Sequence, residues 1–207
     1  MNTITSSPVS RTPDLARARE YILGRLEAEL DSDLFYHNLY HTKDDVLPAV
    51  ERLAAMEGIG EEERLLLQTA ALYHDAGYLK QQLDHETSSA QIAIEILPRF
   101  GYTADQIQIV VNLILATRMP QAPNNLLEQI ICDADLDVLG SDDFFLRSYD
   151  LRAELTAQGK PHTDEEWYRC QLAFLEGHSY FTPSANHLRE AAKQRHIAIL
   201  KRLLTSV

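Results

Sequence analysis

Apolar side chains recur along this chain at intervals of three and four residues, the spacing of one face of an α-helix. Leu15, Ala18, Ile22, Leu26 and Leu30 form the first stripe. Thr12 is its expected cap, with Pro13 in the first turn, and Asp31-Ser32-Asp33 breaks it. Val46, Val50, Leu53 and Ala54 predict a second helix over 43–56, with Pro48 either just inside its start or at a bend. Gly58 and Gly60 separate it from a third, 61–74, whose acidic opening (Glu61, Glu62, Glu63) suits the positive end of the helix dipole. A fourth is expected over 85–100, disturbed by Pro98 and stopped by Gly101. Thr103-Ala104-Asp105-Gln106 has the form of a capping box and opens a fifth, to about 117. Further helices are expected over 125–139, from a Ser141 cap through 158, from a Thr163 cap to 177, and from Pro183 toward the C-terminus. No stretch alternates with β-branched residues and no fixed-period repeat is visible. The pattern predicts an all-α fold, a compact helical bundle.

Composition narrows the possible partners. The 207 residues suit one large domain, and 45% of them are hydrophobic, enough to fill a core. Asp and Glu total 31 against 19 Lys and Arg, a formal charge of -12. That argues against a nucleic-acid polymer or an anionic membrane as partner, since both attract basic surfaces. It leaves room for a small anionic substrate, because a metal ion supplies local positive charge. Cys132 and Cys170 both sit in helical apolar patterns and are expected as buried free thiols. Residues 1–12 read as a flexible N-terminal arm, neither a signal peptide nor an anchor. No apolar run approaches the ~20 residues of a membrane span, so the expected location is the cytoplasm.

Three stretches interrupt the apolar pattern with chemistry. The first is Phe35-Tyr36-His37-Asn38-Leu39-Tyr40-His41-Thr42. The second is Leu72-Tyr73-His74-Asp75-Ala76-Gly77, where a His-Asp doublet ends an apolar helix. The third is Ile131-Cys132-Asp133-Ala134-Asp135-Leu136-Asp137. Neighbouring residues on a helix face about 100° apart, but in a last turn, where the backbone is leaving, His74 and Asp75 can lean on one ion. Imidazole with carboxylate suits a divalent metal. On the doublet alone, a satisfied polar pair at a helix end is the favoured reading. His37 and His41 are four apart and share a face if helical. A His-x-x-x-His pair in a zinc protease needs Glu beside the first His, and Asn38 stands there instead.

Taken in order, these motifs resemble the HD superfamily of metal-dependent phosphohydrolases, named for the His-Asp doublet. The Tyr-His-Asn-x-x-His form of the first resembles its cyclic-nucleotide phosphodiesterase branch. The resemblance spans roughly residues 34–140. It implies a single HD-type helical domain over 13–207, with the metal-site core in 34–140 and residues 141–207 as a C-terminal helical extension. It also implies metal ligands at His41, His74, Asp75 and Asp135, which suit Mn, Fe, Co, Ni, Zn or Mg. Asp135 falls in the Ala-Asp dipeptide of the pattern and on the inward stripe of Leu127 and Ile131, with Asp133 as the alternative. His37 is implied as proton donor to the leaving oxygen, and Asp75 or Asp135 could also orient the attacking water. His85 reads as a substrate-facing or ligand-supporting group or as an ordinary helix-entry histidine, and Arg118 as a phosphate-binding group or a surface arginine.

The implied activity is hydrolysis of phosphate esters, of nucleotide phosphomonoesters or cyclic phosphodiesters above all, by a metal-bound water. The rival expectation is a non-catalytic metal- or nucleotide-binding sensor. An iron oxygenase of this superfamily would want a further histidine near Ala116-Thr117-Arg118-Met119, where none stands. His178 is expected to pack in the core, and His162, His187 and His196 at the surface or in packing.

Overall fold

The first apolar stripe folds as α1 (Leu15–Glu29), capped by the Asp14 side chain on the Arg17 N–H at 3.0 Å. A computed structural model describes residues 13–205. The expected arm, residues 1–12, and the Thr12 cap therefore lie outside the described residues. Pro13 precedes the helix rather than opening it.

The first chemical motif leads into a π-helical turn, His41–Val46, continuous with α2 (Leu47–Met56). Pro48 belongs to the first turn of α2. In an α-helical approach its ring would meet the carbonyl of Asp44, and a widened turn avoids that clash. α3 (Glu61–Tyr73) runs through the middle of the bundle and packs on α1, α2, α5 and α6. Its Ala70 and Ala71 are fully buried and let neighbours approach closely, while Leu66, Leu67 and Leu72 fill the space between them. The Tyr73 hydroxyl donates to the Ala18 carbonyl at 3.1 Å, tying α1 to this centre.

α4 (His85–Ile96) ends early. Leu97–Phe100 continues as a 3₁₀ turn around Pro98, and Gly101 closes it in the left-handed conformation. α5 (Ala104–Ala116) carries the expected Thr103–Gln106 capping box. α6 (Leu126–Asp135) is shorter than its apolar pattern. It stops at Asp135, and Asp137–Gly140 forms a 3₁₀ turn. α7 (Phe144–Ala157) starts after Asp143 with no side-chain cap, so Ser141 is not the cap expected of it. α8 (Asp164–Gly177) carries the Thr163–Glu166 capping box, and α9 (Pro183–Thr205) closes the chain.

No strand occurs among the described residues, and the architecture is all-α. No helix among them is long and apolar enough to cross a membrane. The C-terminal helices are built into the bundle. Tyr180 and Ala185 join the main core, while Phe144, Leu175, Ile197 and Leu200 form a smaller core of their own with Leu139. Gly140 passes so close to α9 that a Cβ there would lie 2.3 Å from the Arg189 carbonyl oxygen. Cys132 is buried, but Cys170 is exposed. The buried face of α8 is carried by Trp167 and Leu175, and Cys170 falls off that line.

Candidate metal centre

His41, His74 and Asp135 offer ligand atoms within 4.8 Å of one another where α3, α6 and the π turn meet, and Asp75 borders the two histidines. His74 is the residue that ends α3, and Asp75 follows with its backbone already outside helical values (φ -103°, ψ 7°). That departure turns both side chains of the doublet toward one place. Asp135 is the last residue of α6, and His41 opens the π turn.

The Nε2 atom of His41 lies 3.3 Å from Oδ1 of Asp135 and 3.6 Å from Oδ2 of Asp75. The Nε2 atom of His74 lies 3.4 Å and 3.3 Å from the same two oxygens. Ligand atoms about 2.0–2.3 Å from a shared ion stand roughly 3–4 Å apart when they are neighbours around it. The observed spacings are those of such a set.

The electrostatics fit a cation. His74 Nε2 and Asp75 Oδ2 are buried without a hydrogen-bond partner. An orphaned buried nitrogen and oxygen cost stability unless something satisfies them. His74 donates Nδ1–H to the Ala71 carbonyl at 2.8 Å, which leaves the lone pair on Nε2, aimed at the gap. His41 Nδ1 faces Asp45 Oδ2 at 3.6 Å, near but beyond hydrogen-bond distance.

Burial alone would depress both imidazoles, but Asp135, Asp45 and Asp75 outweigh it, so His41 is raised and His74 well raised. Burial would raise Asp135, but the two imidazoles hold it down to about 2, and Asp75 is likewise held well below the carboxylate range. The carboxylates draw protons onto the histidines with the same field that would hold a metal ion.

This balance gives a pH prediction. A histidine whose folded pKa is raised stabilises the protein fully below its unfolded value near 6.5, and that contribution is lost as pH rises through the folded value. Protons and metal compete for the same nitrogens. The difference in melting temperature between Mn-loaded and EDTA-treated protein is therefore expected to widen as pH rises from about 6 upward. A difference that is flat or narrows with pH would show that these nitrogens are not where metal binds.

The three aspartates of the α6 motif do three different things. Asp135 faces the cluster. Asp133, fully buried, accepts from the Phe181 and Thr182 N–H groups at 2.8 Å each and from the Thr182 hydroxyl at 2.7 Å, fixing the entry to α9. Burial pushes its carboxyl up despite those bonds. Asp137 takes a bidentate pair from Arg189 and forms an ion pair with Arg52. Asp133→Ala is therefore expected to cost about 2–4 kcal/mol, because buried donors lose their acceptor. Metal content measured on the folded protein should not change, and a drop in metal stoichiometry would move the ligand role to Asp133.

His37 lies beside the cluster, and what holds it comes from far along the chain. Its Nδ1 is 2.5 Å from Oε1 of Glu154, on α7, and Glu154 Oε2 accepts the Tyr36 and His37 N–H groups at 2.8 Å and 3.0 Å. Glu154 is 1% exposed. Burial alone would raise its carboxyl, but His37 holds it below the ordinary value. Tyr78 is sandwiched between His37 and His85, with ring centroids 4.6 Å and 4.3 Å away. His85 Nε2 stands 3.3 Å from Oδ1 of Asp75, on the side away from the other histidines' contact with Oδ2. Gly77 permits this arrangement, since a Cβ there would run into the His85 backbone carbonyl.

Glu154 and Tyr78 had no signal in the sequence. A glutamate on an ordinary amphipathic helix becomes notable only when its buried partner is known.

The cluster opens into a cavity of about 420 Å³ between the core and α7–α8. His37, His41, Asp75, His85 and Asp135 line one end of it. Arg118 does not line it. Its guanidinium is tied to Asp84 and to Thr87 Oγ1 at 2.6 Å, at the start of α4. His162, expected at the surface or in packing, lines the cavity against Trp167. His178 packs on Tyr180 and is held down to about 4 by burial and by Lys193. His196 stacks on Phe144.

Residues 45–137 match the family model for the HD domain. The match takes in His74, Asp75 and Asp135 and begins just after His41. No curated protein matches the sequence. Two crystal structures share the fold over nearly the whole chain. One is a predicted HD superfamily hydrolase from an uncultured Thermotogales bacterium, 19% identical, covering 96% of this chain and 95% of that one at a TM-score of 0.64. The other is Bacillus subtilis YpgQ in complex with ADP, 16% identical, covering 94% and 98% at a TM-score of 0.65.

Proposed function

Starting from the HD domain that this chain carries over residues 45–137, we propose that it is a metal-dependent hydrolase of small phosphate esters. The observation that carries this reading is the convergence of His41, His74, Asp75 and Asp135 around a gap bordered by buried, unpartnered donor atoms. These four side chains would hold a divalent ion, with Mn, Fe, Co, Ni, Zn and Mg all compatible with two imidazoles and two carboxylates. When bound, the ion polarises a phosphoryl oxygen and makes water a better nucleophile.

The chain's own groups supply the rest. The Asp75 carboxylate spans the cluster and His85, with one oxygen toward each. It is placed to accept a hydrogen bond from a water at the phosphorus. His37 is tied through Nδ1 to Glu154, so Nε2 is the nitrogen left to pass a proton to the departing oxygen. The aromatic stack of His37, Tyr78 and His85 fixes the two outer rings. Because the Bacillus subtilis neighbour holds ADP, the panel of substrates to test includes nucleoside mono-, di- and triphosphates.

The test is incubation with Mn and either p-nitrophenyl phosphate or bis-p-nitrophenyl phosphate, followed by a nucleotide panel. Metal-dependent release of p-nitrophenol or of phosphate is expected. Tight metal binding with no turnover on any ester across the six metals would replace the enzyme with a binding module.

A further inference from the structure

The cavity has two chemically different ends. At one stand the cluster and His37. Beyond it the walls are mostly apolar, with Leu136, Val138, Phe144, Leu151, Trp167 and Phe174 from the 3₁₀ turn after α6 and from α7 and α8; His162 and Gln171 are polar groups among them. Among the described residues Arg147 is the one Lys or Arg in the lining; its terminal nitrogens are engaged within the protein, and its Nε is buried without a hydrogen-bond partner. Its two terminal nitrogens bond Asp150 at 2.8 Å and the Tyr36 carbonyl at 3.1 Å and form an ion pair with Asp45 at 3.2 Å, and its plane lies over Tyr36 and Tyr40. Thr117 and Ser148 are also committed, to the Ile114 carbonyl and to the Trp167 indole N–H. Three carboxylates, Asp75, Glu86 and Asp135, border the polar end.

A second or third phosphate of a substrate would find no free Arg or Lys side-chain end here among the described residues, and it would face carboxylates. Moving charge into apolar walls is costly without a partner. An apolar group meets the opposite situation. About 150 Å³ takes a benzene ring, so 420 Å³ takes a considerably larger one.

We propose that the apolar end is the subsite for the organic group of the substrate. The chain then acts on esters with a single phosphate whose alcohol is aromatic or branched hydrocarbon in character, and discriminates against nucleoside di- and triphosphates. The proposal rests on the phosphohydrolase reading for the phosphate end, while occupation of the apolar end is measurable by itself.

Trp167 is the only tryptophan in the sequence and lines the subsite, so its fluorescence reports filling directly. The probes are 4-tert-butylphenyl phosphate, its parent phenol and ADP, titrated into the full chain with and without Mn. The aryl phosphate is expected to shift Trp167 emission and to bind at least about tenfold tighter than ADP. The phenol should shift the same emission more weakly and without need of metal. Leu151→Arg puts a cation among the apolar walls and should weaken the phenol while narrowing the gap to ADP. ADP binding tighter than the aryl phosphate would overturn the proposal, as would Trp167 emission that neither phenol nor ester moves. If the phenol binds but no ester is hydrolysed with any metal, the subsite stands and the phosphohydrolase reading falls.

Discussion

Alanine at His74 or at Asp75 is expected to abolish metal binding and ester hydrolysis together. His74 is 1% exposed and can swing to no other role, since its Nδ1 is held by the Ala71 carbonyl and its Nε2 points into the gap. Removing it leaves three donors, two of them carboxylates that repel each other once the imidazole between them is gone. Asp75 is the group nearest both histidines on one side and His85 on the other. Its loss opens the set at its middle. Altering even a group that only supports a ligand costs about 10–100-fold in metal affinity, and loss of a ligand itself should exceed that. Metal analysis of the purified variants and hydrolysis at saturating Mn measure the two effects separately. Asp133→Ala is the control, because it removes a buried aspartate from the same stretch of chain as Asp135 without touching the cluster. Full activity in either His74→Ala or Asp75→Ala would make the doublet a structural pair and remove the basis of the enzyme reading.

The second large effect separates His37 from the ligands. His37→Ala is expected to keep the metal and slow hydrolysis by on the order of 10²–10⁴-fold. The loss should shrink for p-nitrophenyl esters, whose leaving oxygen needs no proton, and be largest for alkyl esters. The motivation is geometric. Glu154 takes the Nδ1 proton and the two backbone N–H groups that set the position of the ring. Glu154→Gln keeps the size but replaces one of two accepting oxygens with an NH2 donor, so either His37 Nδ1–H or the two backbone N–H groups lose their acceptor. It should lower kcat less than His37→Ala does, with metal content unchanged and the acidic or basic limb of the pH–rate profile displaced. An equal loss for good and poor leaving groups would make His37 a packing residue against Tyr36 and Tyr78. Loss of metal in His37→Ala would make it a ligand.

The helices were legible because their signals are local. Ala18, Ile22 and Leu26 recur at helical spacing and are buried in α1, and Thr103–Gln106 and Thr163–Glu166 form capping boxes from four consecutive residues each. Where local signals misled, a neighbour had overridden them. The apolar row through Leu136 and Leu139 suggested that α6 continues, but the chain turns at Asp135, and Gly140 then packs directly against the Arg189 backbone. Cys170 sits in an apolar pattern whose buried edge is Trp167 and Leu175, and the residue itself is exposed.

Residue types and spacing are enough to fix the helical class and the order in which His37, His41, the His74-Asp75 doublet and Asp135 arrive. A helix can be read from any dozen residues, and a motif from the residue types it requires. Tertiary structure alone decided which carboxylate meets which partner. Asp133, Asp135 and Asp137 are chemically identical and lie within five residues, yet α9, the cluster and two arginines claim them separately. Likewise His37 depends on Glu154, 117 positions away, and Arg118 is held by Asp84 and Thr87 rather than by the cavity. The reason is physical. A charged side chain at the surface needs no particular partner, so its sequence carries no trace of one. Burial makes a specific partner obligatory, and only the packing of α7 to α9 on the core decides which groups are buried together.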